Sequence, residues 1–153
     1  MTKFAHRNTD QYDLGRYRQH GRSDIHFDGK IMRFESMGPF NKELIRAVEM
    51  AMRDLLNEVP PTGPWAEIVW LRGSALIAPE VLPAMKGLIE NLTDDGLVSA
   101  ATAIVATDDV EGLSLMIPPY AAIYVASHRH FDTFGSMEDA EAWIHVRLAD
   151  FKN

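Results

Sequence analysis

The chain is expected to fold as an α/β domain: a mixed, mostly parallel sheet of about five strands, an antiparallel N-terminal hairpin and about four helices. Three observations carry this expectation. Apolar residues recur at three- and four-residue steps in several separate stretches, the mark of helices with one core face. Short runs rich in β-branched and aromatic residues alternate with those stretches. Glycine and proline punctuate most of the junctions between them. Strands alternating with helices imply parallel pairing through right-handed crossovers.

Residues 1–22 are polar, rich in Arg, Gln, Asp and His, and without clear periodicity. They read as an arm with a helical turn near 9–17, ahead of a single domain at 23–153. Residues 25–27 and 30–36 form a hairpin around Asp28-Gly29, a strong turn dipeptide. In its second strand Met32, Phe34 and Ser36 alternate with Ile31, Arg33 and Glu35. After Gly38-Pro39, residues 41–58 place Leu44, Ile45, Val48, Met52, Leu55 and Leu56 on one helical face, until the proline-rich segment 60–64 stops the helix. Residues 65–71 (WAEIVWL) are nearly continuous and apolar, as in a strand buried on both faces. A second helix over 79–92 accommodates Pro79 in its first turn and Pro83 with more difficulty. Residues 100–106 (AATAIVA) read as a third core strand, and Thr107-Asp108-Asp109 as the cap of a short helix reaching Met116.

Residues 120–126 (YAAIYVA) leave helix and strand open: the residue types favour strand, the alternation of elements favours helix. The ending is more legible. Residues 128–134 (HRHFDTF) read as a strand broken at Gly135. Ser136 then caps a helix that turns Ala140, Trp143, Ile144, Leu148 and Phe151 to one side.

With 153 residues, 46% apolar and 24% charged, the chain has the balance of an ordinary soluble protein and can bury its own core. No apolar run approaches the roughly 20 residues of a membrane span, and the N-terminal residues lack a secretory apolar stretch. The absence of cysteine excludes disulfides and thiolate chemistry, and fits a reducing cytoplasm. Residues 1–22 carry a net +3 and the remainder −10. An acidic body repels phosphate backbones, so nucleic acid is not an expected partner. The basic arm is expected to lie on the protein's own acidic surface or on a partner subunit, which leaves a homodimer open.

Three constellations could carry chemistry. His128, His130 and Asp132 on one strand face would resemble a metal-ligand row, although no HExxH motif accompanies them. Ser74 follows the central strand where open α/β sheets place ligands, with Gly73 allowing close backbone approach and Arg72 offering a guanidinium to an anion. No GxSxG, GxGxxG or P-loop pattern is present, so no catalytic residue and no cofactor is assigned. Met116, Tyr120 and Tyr124 lie in an apolar stretch that could line a groove for a ligand or partner.

Several phrases resemble the STAS superfamily, the group of the bacterial anti-sigma-factor antagonists, and within it the uncharacterised SpoIIAA-like branch. They are Tyr17-Arg18-Gln19-His20-Gly21, Gly38-Pro39-Phe40-Asn41-Lys42-Glu43, Ile68-Val69-Trp70-Leu71-Arg72-Gly73, and Phe131-Asp132 with Glu138-Asp139-Ala140-Glu141-Ala142-Trp143. The resemblance implies a STAS-like fold and a non-enzymatic regulatory role, through a protein partner or a small apolar ligand. In that family a serine between the central strand and the next helix is phosphorylated. Here Ser74 is the only hydroxyl in that loop and lacks the preceding aspartate, so a phosphorylation switch at Ser74 is the alternative reading, and a metal-dependent enzyme using His128, His130 and Asp132 the third.

Overall fold

The computed structural model describes residues 4–15 and 17–151, and these build a six-stranded mixed sheet with its strands in chain order. Strands β1 (Ala5–Asn8), β2 (Arg22–Phe27) and β3 (Ile31–Met37) are antiparallel neighbours. Strands β4 (Ala66–Arg72), β5 (Ala101–Val105) and β6 (His130–Phe134) continue parallel to β3. Four helices follow: α1 (Lys42–Glu58), α2 (Val81–Asp94), α3 (Leu113–Ala126) and α4 (Met137–Asp150). The α/β class, the hairpin and the four helices match expectation. The extra strand comes from the N-terminal segment, where Ala5 is buried against the core.

The topology decides where the core sits. The three parallel steps run in one direction along the sheet, and right-handed crossovers then place α1, α2 and α3 on one face. α4 follows the last strand and packs on the opposite face, over β4, β5 and β6. Ala140 and Ile144 of α4 are completely buried there against Ile68, Ala103 and Val105, while Phe151 is exposed beyond the helix end. Among the described residues α4 is the one helix on that second face, and it reaches β3 through Ile31 and the Arg33–Glu141 ion pair. This corrects the reading of β4 as buried on both faces. Its first residues are covered by α4, but Trp70 is 41% exposed beneath the guanidinium of Arg72, 4.8 Å from the ring centroid.

Local chemistry explains most of the boundaries. The β2–β3 turn centres on Gly29 and Lys30, one residue later than expected. Gly29 takes φ +94, and Asp28 Oδ1 accepts the amides of Lys30 and Ile31, both at 2.9 Å. Pro83 is tolerated because it falls in the first turn of α2, where its missing N–H has no intrahelical partner to lose. Of the basic segment, Arg7 reaches the body of the domain, donating to Glu58 at 2.7 Å, whereas Arg22 pairs at 3.7 Å with Asp10 of the segment itself. Lys3 and Arg16 fall outside the described residues.

Two of the resemblance phrases, 17–21 and 38–43, meet in space around Asn41. Its Oδ1 caps α1 by accepting Leu44 N–H at 3.0 Å, and also accepts His20 N–H at 2.9 Å. Its Nδ2 donates to the Arg18 carbonyl at 2.9 Å. Gly21 (φ +83) lies so close to β3 that a Cβ there would sit 2.8 Å from the carbonyl oxygens of Met37 and Pro39. Next along, Phe40 exchanges backbone bonds with Leu76 and Ala78, each 2.9 Å. The segment before β2, the start of α1 and the loop after β4 are thus fastened together at one end of the sheet.

Asn41→Ala should remove the cap and leave the His20 amide and Arg18 carbonyl unpaired, lowering unfolding free energy by about 3 kcal/mol. Asn41→Asp keeps both accepted bonds and should lose less. Urea denaturation of the two variants against the parent protein measures the difference.

Candidate functional site

A half-open cavity of about 130 Å³ lies between the sheet and α1–α3. Its wall is mostly apolar: Val48 and Met52 from α1, Met85 and Leu88 from α2, Val69 and Ile104 from the sheet. The strand pattern accounts for this. Glu67, Val69 and Leu71 of β4 point to the α1–α3 side, and Ala66 and Ile68 to α4, because successive strand residues face opposite ways.

Polar groups occupy two ends of the cavity. At one end the hydroxyls of Ser23 and Ser36 bond each other at 2.8 Å. At the other lie Glu67, Tyr124 and Arg129. Ser36 is level with Leu71 of β4. The two poles are therefore four strand residues apart, about 13 Å along the sheet.

Glu67 is 6% exposed, and its Oε2 accepts the hydroxyl of Thr102 at 2.8 Å. Burial pushes its pKa above the ordinary carboxylate range, opposed by the Thr102 hydrogen bond, then by the positive charge of Arg129 and a hydrogen bond with Ser99. Arg129 is 8% exposed. It donates from Nη1 to Ser99 Oγ at 3.1 Å and from Nη2 to Thr93 Oγ1 at 2.9 Å, while its buried Nε has no hydrogen-bond partner among the described residues. Burial lowers its pKa, with Glu67 and Tyr124 opposing, yet a guanidinium stays protonated in proteins. The ring of Tyr124 stacks on Phe131 with centroids 5.0 Å apart. Its hydroxyl has no hydrogen-bond partner among the described residues, and burial, then the charge of Glu67, raises its pKa.

The residues singled out from sequence separate into three places. Tyr120 and Tyr124 line the cavity, on one helix. Tyr120 also donates to the Ala75 carbonyl at 2.6 Å, which ties α3 to the loop after β4. Met116 is buried but does not reach the cavity wall. Arg72 points to the other face of the sheet, where it pairs with Glu35 at 2.6 Å and covers Trp70. Gly73 (φ +70) packs beside Met37. Ser74 is 5% exposed, its Oγ accepting Leu76 N–H at 3.1 Å, and backbone bonds hold the neighbouring residues Gly73 and Ala75 to Glu111. Ser74 and Arg72 therefore form no common anion cradle.

The row of His128, His130 and Asp132 does not form. His128 adopts φ +59 in the turn before β6, so the two-residue strand period starts only at His130. His130 and Asp132 are exposed on the α4 side, and Asp132 accepts the Thr133 amide. Among the described residues no three His, Asp or Glu side chains are placed to hold a metal ion. The expected short helix ending at Met116 is also corrected: residues 107–111 form turns, and one helix runs from Leu113 to Ala126. That settles residues 120–126 as helix. Pro118 and Pro119 remove the donors for the carbonyls of Ser114 and Leu115, which lie at exposed positions where water can serve them.

The two residues that define the charged end of the cavity went unremarked in the sequence. Glu67 was legible as the one charge inside WAEIVWL. Arg129 alternates with His128 and His130, and so belongs to the opposite face from the supposed ligands. A second hollow, about 210 Å³, lies at the C-terminal ends of β5 and β6, but its polar lining is Asp108 and Thr133, neither of them buried. Among the described residues no helix is long and apolar enough to cross a membrane. Comparison with known proteins returns no matching family model, no matching curated protein and no matching solved structure.

Glu67 gives the protein a pH-dependent stability of defined sign. Above the ordinary carboxylate range the unfolded chain has released this proton while the folded chain still holds it, so stability falls as pH rises through that window up to the raised folded pKa. Glu67→Gln keeps an acceptor for Thr102 and removes the titration. The variant should match the parent near pH 4 and exceed it as pH rises above the ordinary carboxylate range, by up to about 1.4 kcal/mol per pH unit, with the gain levelling off above the folded pKa. Denaturant titrations across that pH range provide the comparison.

Proposed function

We propose that this protein is a non-enzymatic, STAS-like module whose cavity beneath α3 takes up a small apolar ligand. The observation that supports this most directly is the cavity itself. Three helices and the sheet leave a half-open space of about 130 Å³ lined mainly by apolar side chains, where close-packed elements would interlock. An apolar cavity of about 150 Å³ holds one benzene molecule, so the site suits a ligand of roughly that bulk. The sequence phrases resembling the STAS superfamily support a binding role over a catalytic one. The buried position and engaged hydroxyl of Ser74 make phosphorylation there require prior opening of the loop, and the scattered His128, His130 and Asp132 leave a metal-dependent reaction without a ligand set. A protein partner would find its most apolar surface on the outer side of α3, where Leu115 is 69% and Val125 65% exposed.

Toluene is a suitable neutral probe. Its binding should raise the thermal midpoint in proportion to the logarithm of its concentration once the site is saturated. Val69→Phe, which fills the cavity, should cost about 1–3 kcal/mol through overpacking yet abolish the toluene-dependent shift. A parent protein whose midpoint does not respond to toluene, and whose methyl resonances at the cavity do not move, overturns the proposal.

A further inference from the structure

The cavity is not uniformly apolar, and its charged end points to the chemical class of ligand. We infer that the ligand is a small carboxylate, an apolar body of about five or six carbons whose carboxylate sits at Arg129 and Tyr124. The inference rests on the cavity being a ligand site.

Arg129 carries the argument. Its guanidinium is more than nine-tenths buried and lines the cavity, and none of the ion pairs among the described residues includes it. Its two Nη atoms are held by neutral hydroxyls, Ser99 and Thr93, and the Nε–H is left over. A buried cation without an ion-pair partner is costly, and a guanidinium at the wall of an apolar cavity favours a carboxylate, with which it forms short charge-assisted hydrogen bonds. Tyr124 lines the same cavity and offers a second donor, since its hydroxyl has no partner within the described residues. Thr93 lies in the last turn of α2, so the guanidinium is drawn toward a helix C-terminus, which favours a cation there. Glu67 is the one group that could oppose an anion. Its burial disfavours ionisation, which weakens that opposition.

The opposite pole limits the ligand's length. The Ser23–Ser36 pair is about 13 Å away along the strands, and the cavity volume admits little more than one ring or a short chain. An acyl chain of lipid length does not fit within it. A purely structural role for Arg129, joining α2 to the start of β6, would leave the protein indifferent to the charge of a bound ligand.

Calorimetric titration of the parent protein at pH 7 with hexanoate, hexanamide and hexylammonium, and with phenylacetate against phenylacetamide, separates these cases without any variant. Each acid should bind at least about tenfold more tightly than its amide, a factor equivalent to about 1.4 kcal/mol, and hexylammonium should bind weakest. Arg129→Gln should reduce the acid to the level of the amide while toluene still binds. Glu67→Gln should retain the preference for the acid. Equal binding of acid and amide, or tighter binding of hexylammonium, overturns the carboxylate assignment. If toluene binds in either case, the cavity remains a ligand site with a different head group; if no probe binds, both readings fall together.

Discussion

Every parallel step of this sheet runs the same way, and a right-handed crossover then leaves its helix on the same side each time. From that constraint follow three helices on one face, a single helix on the other, and an interior volume that α1, α2 and α3 must fill against a twisted sheet. They do not fill it completely. The residual space lies where all three helices meet the central strands.

The same face carries the most expensive groups in the molecule. A carboxyl and a guanidinium within an apolar core oppose folding unless their environment offsets the loss of hydration. The protein offsets it only in part. Thr102 and Ser99 serve Glu67, and Ser99 and Thr93 serve Arg129, but the two charged side chains form no ion pair with each other. Burial shifts both pKa values toward the neutral forms, and mutual attraction acts against each shift. Packing alone would be better served by two apolar residues of similar volume. Retention of both groups beside an unfilled cavity is consistent with a role for that end of the cavity beyond holding the fold together.

The elements whose signals are local were legible from the sequence. The amphipathic face of α1, the serine cap of α4 and the apolar β5 appear where short-range pattern places them, and the β2–β3 turn within one residue of it. Three things were not. β1 carries no apolar alternation, because only Ala5 among its four residues is buried; its existence depends on pairing with β2. α3 lacks helical periodicity because it is apolar inside and out, so residue type and helical register gave opposing signals over 120–126. The apparent histidine row failed at one backbone angle. A φ of +59 at His128 starts the strand two residues late, and moves attention from the exposed His130 and Asp132 to the buried Arg129 between them. The site itself is three-dimensional: Glu67 is far in the chain from Tyr124 and Arg129, and it meets them only because β4 and β6 flank β5 and α3 crosses behind them.

α3 is also the wall with the least local support. α1 begins at a side-chain cap that binds three backbone groups, whereas α3 begins at Gly112, with φ +72 and no side-chain cap. Two prolines break its hydrogen-bond ladder just before Tyr120. What holds it is tertiary: the Tyr120 bond to Ala75, the stack of Tyr124 on Phe131, and the contact of Met116 with the core. Helices with weak internal support and strong tertiary anchors are those whose stability responds most to what they pack against. A ligand in the cavity would pack directly against Tyr120 and Tyr124. The free energy of binding would therefore bear on the one helix that also presents Leu115 and Val125 to solvent. Occupancy inside and the apolar surface outside share a single element, so a ligand that steadies α3 necessarily steadies that surface.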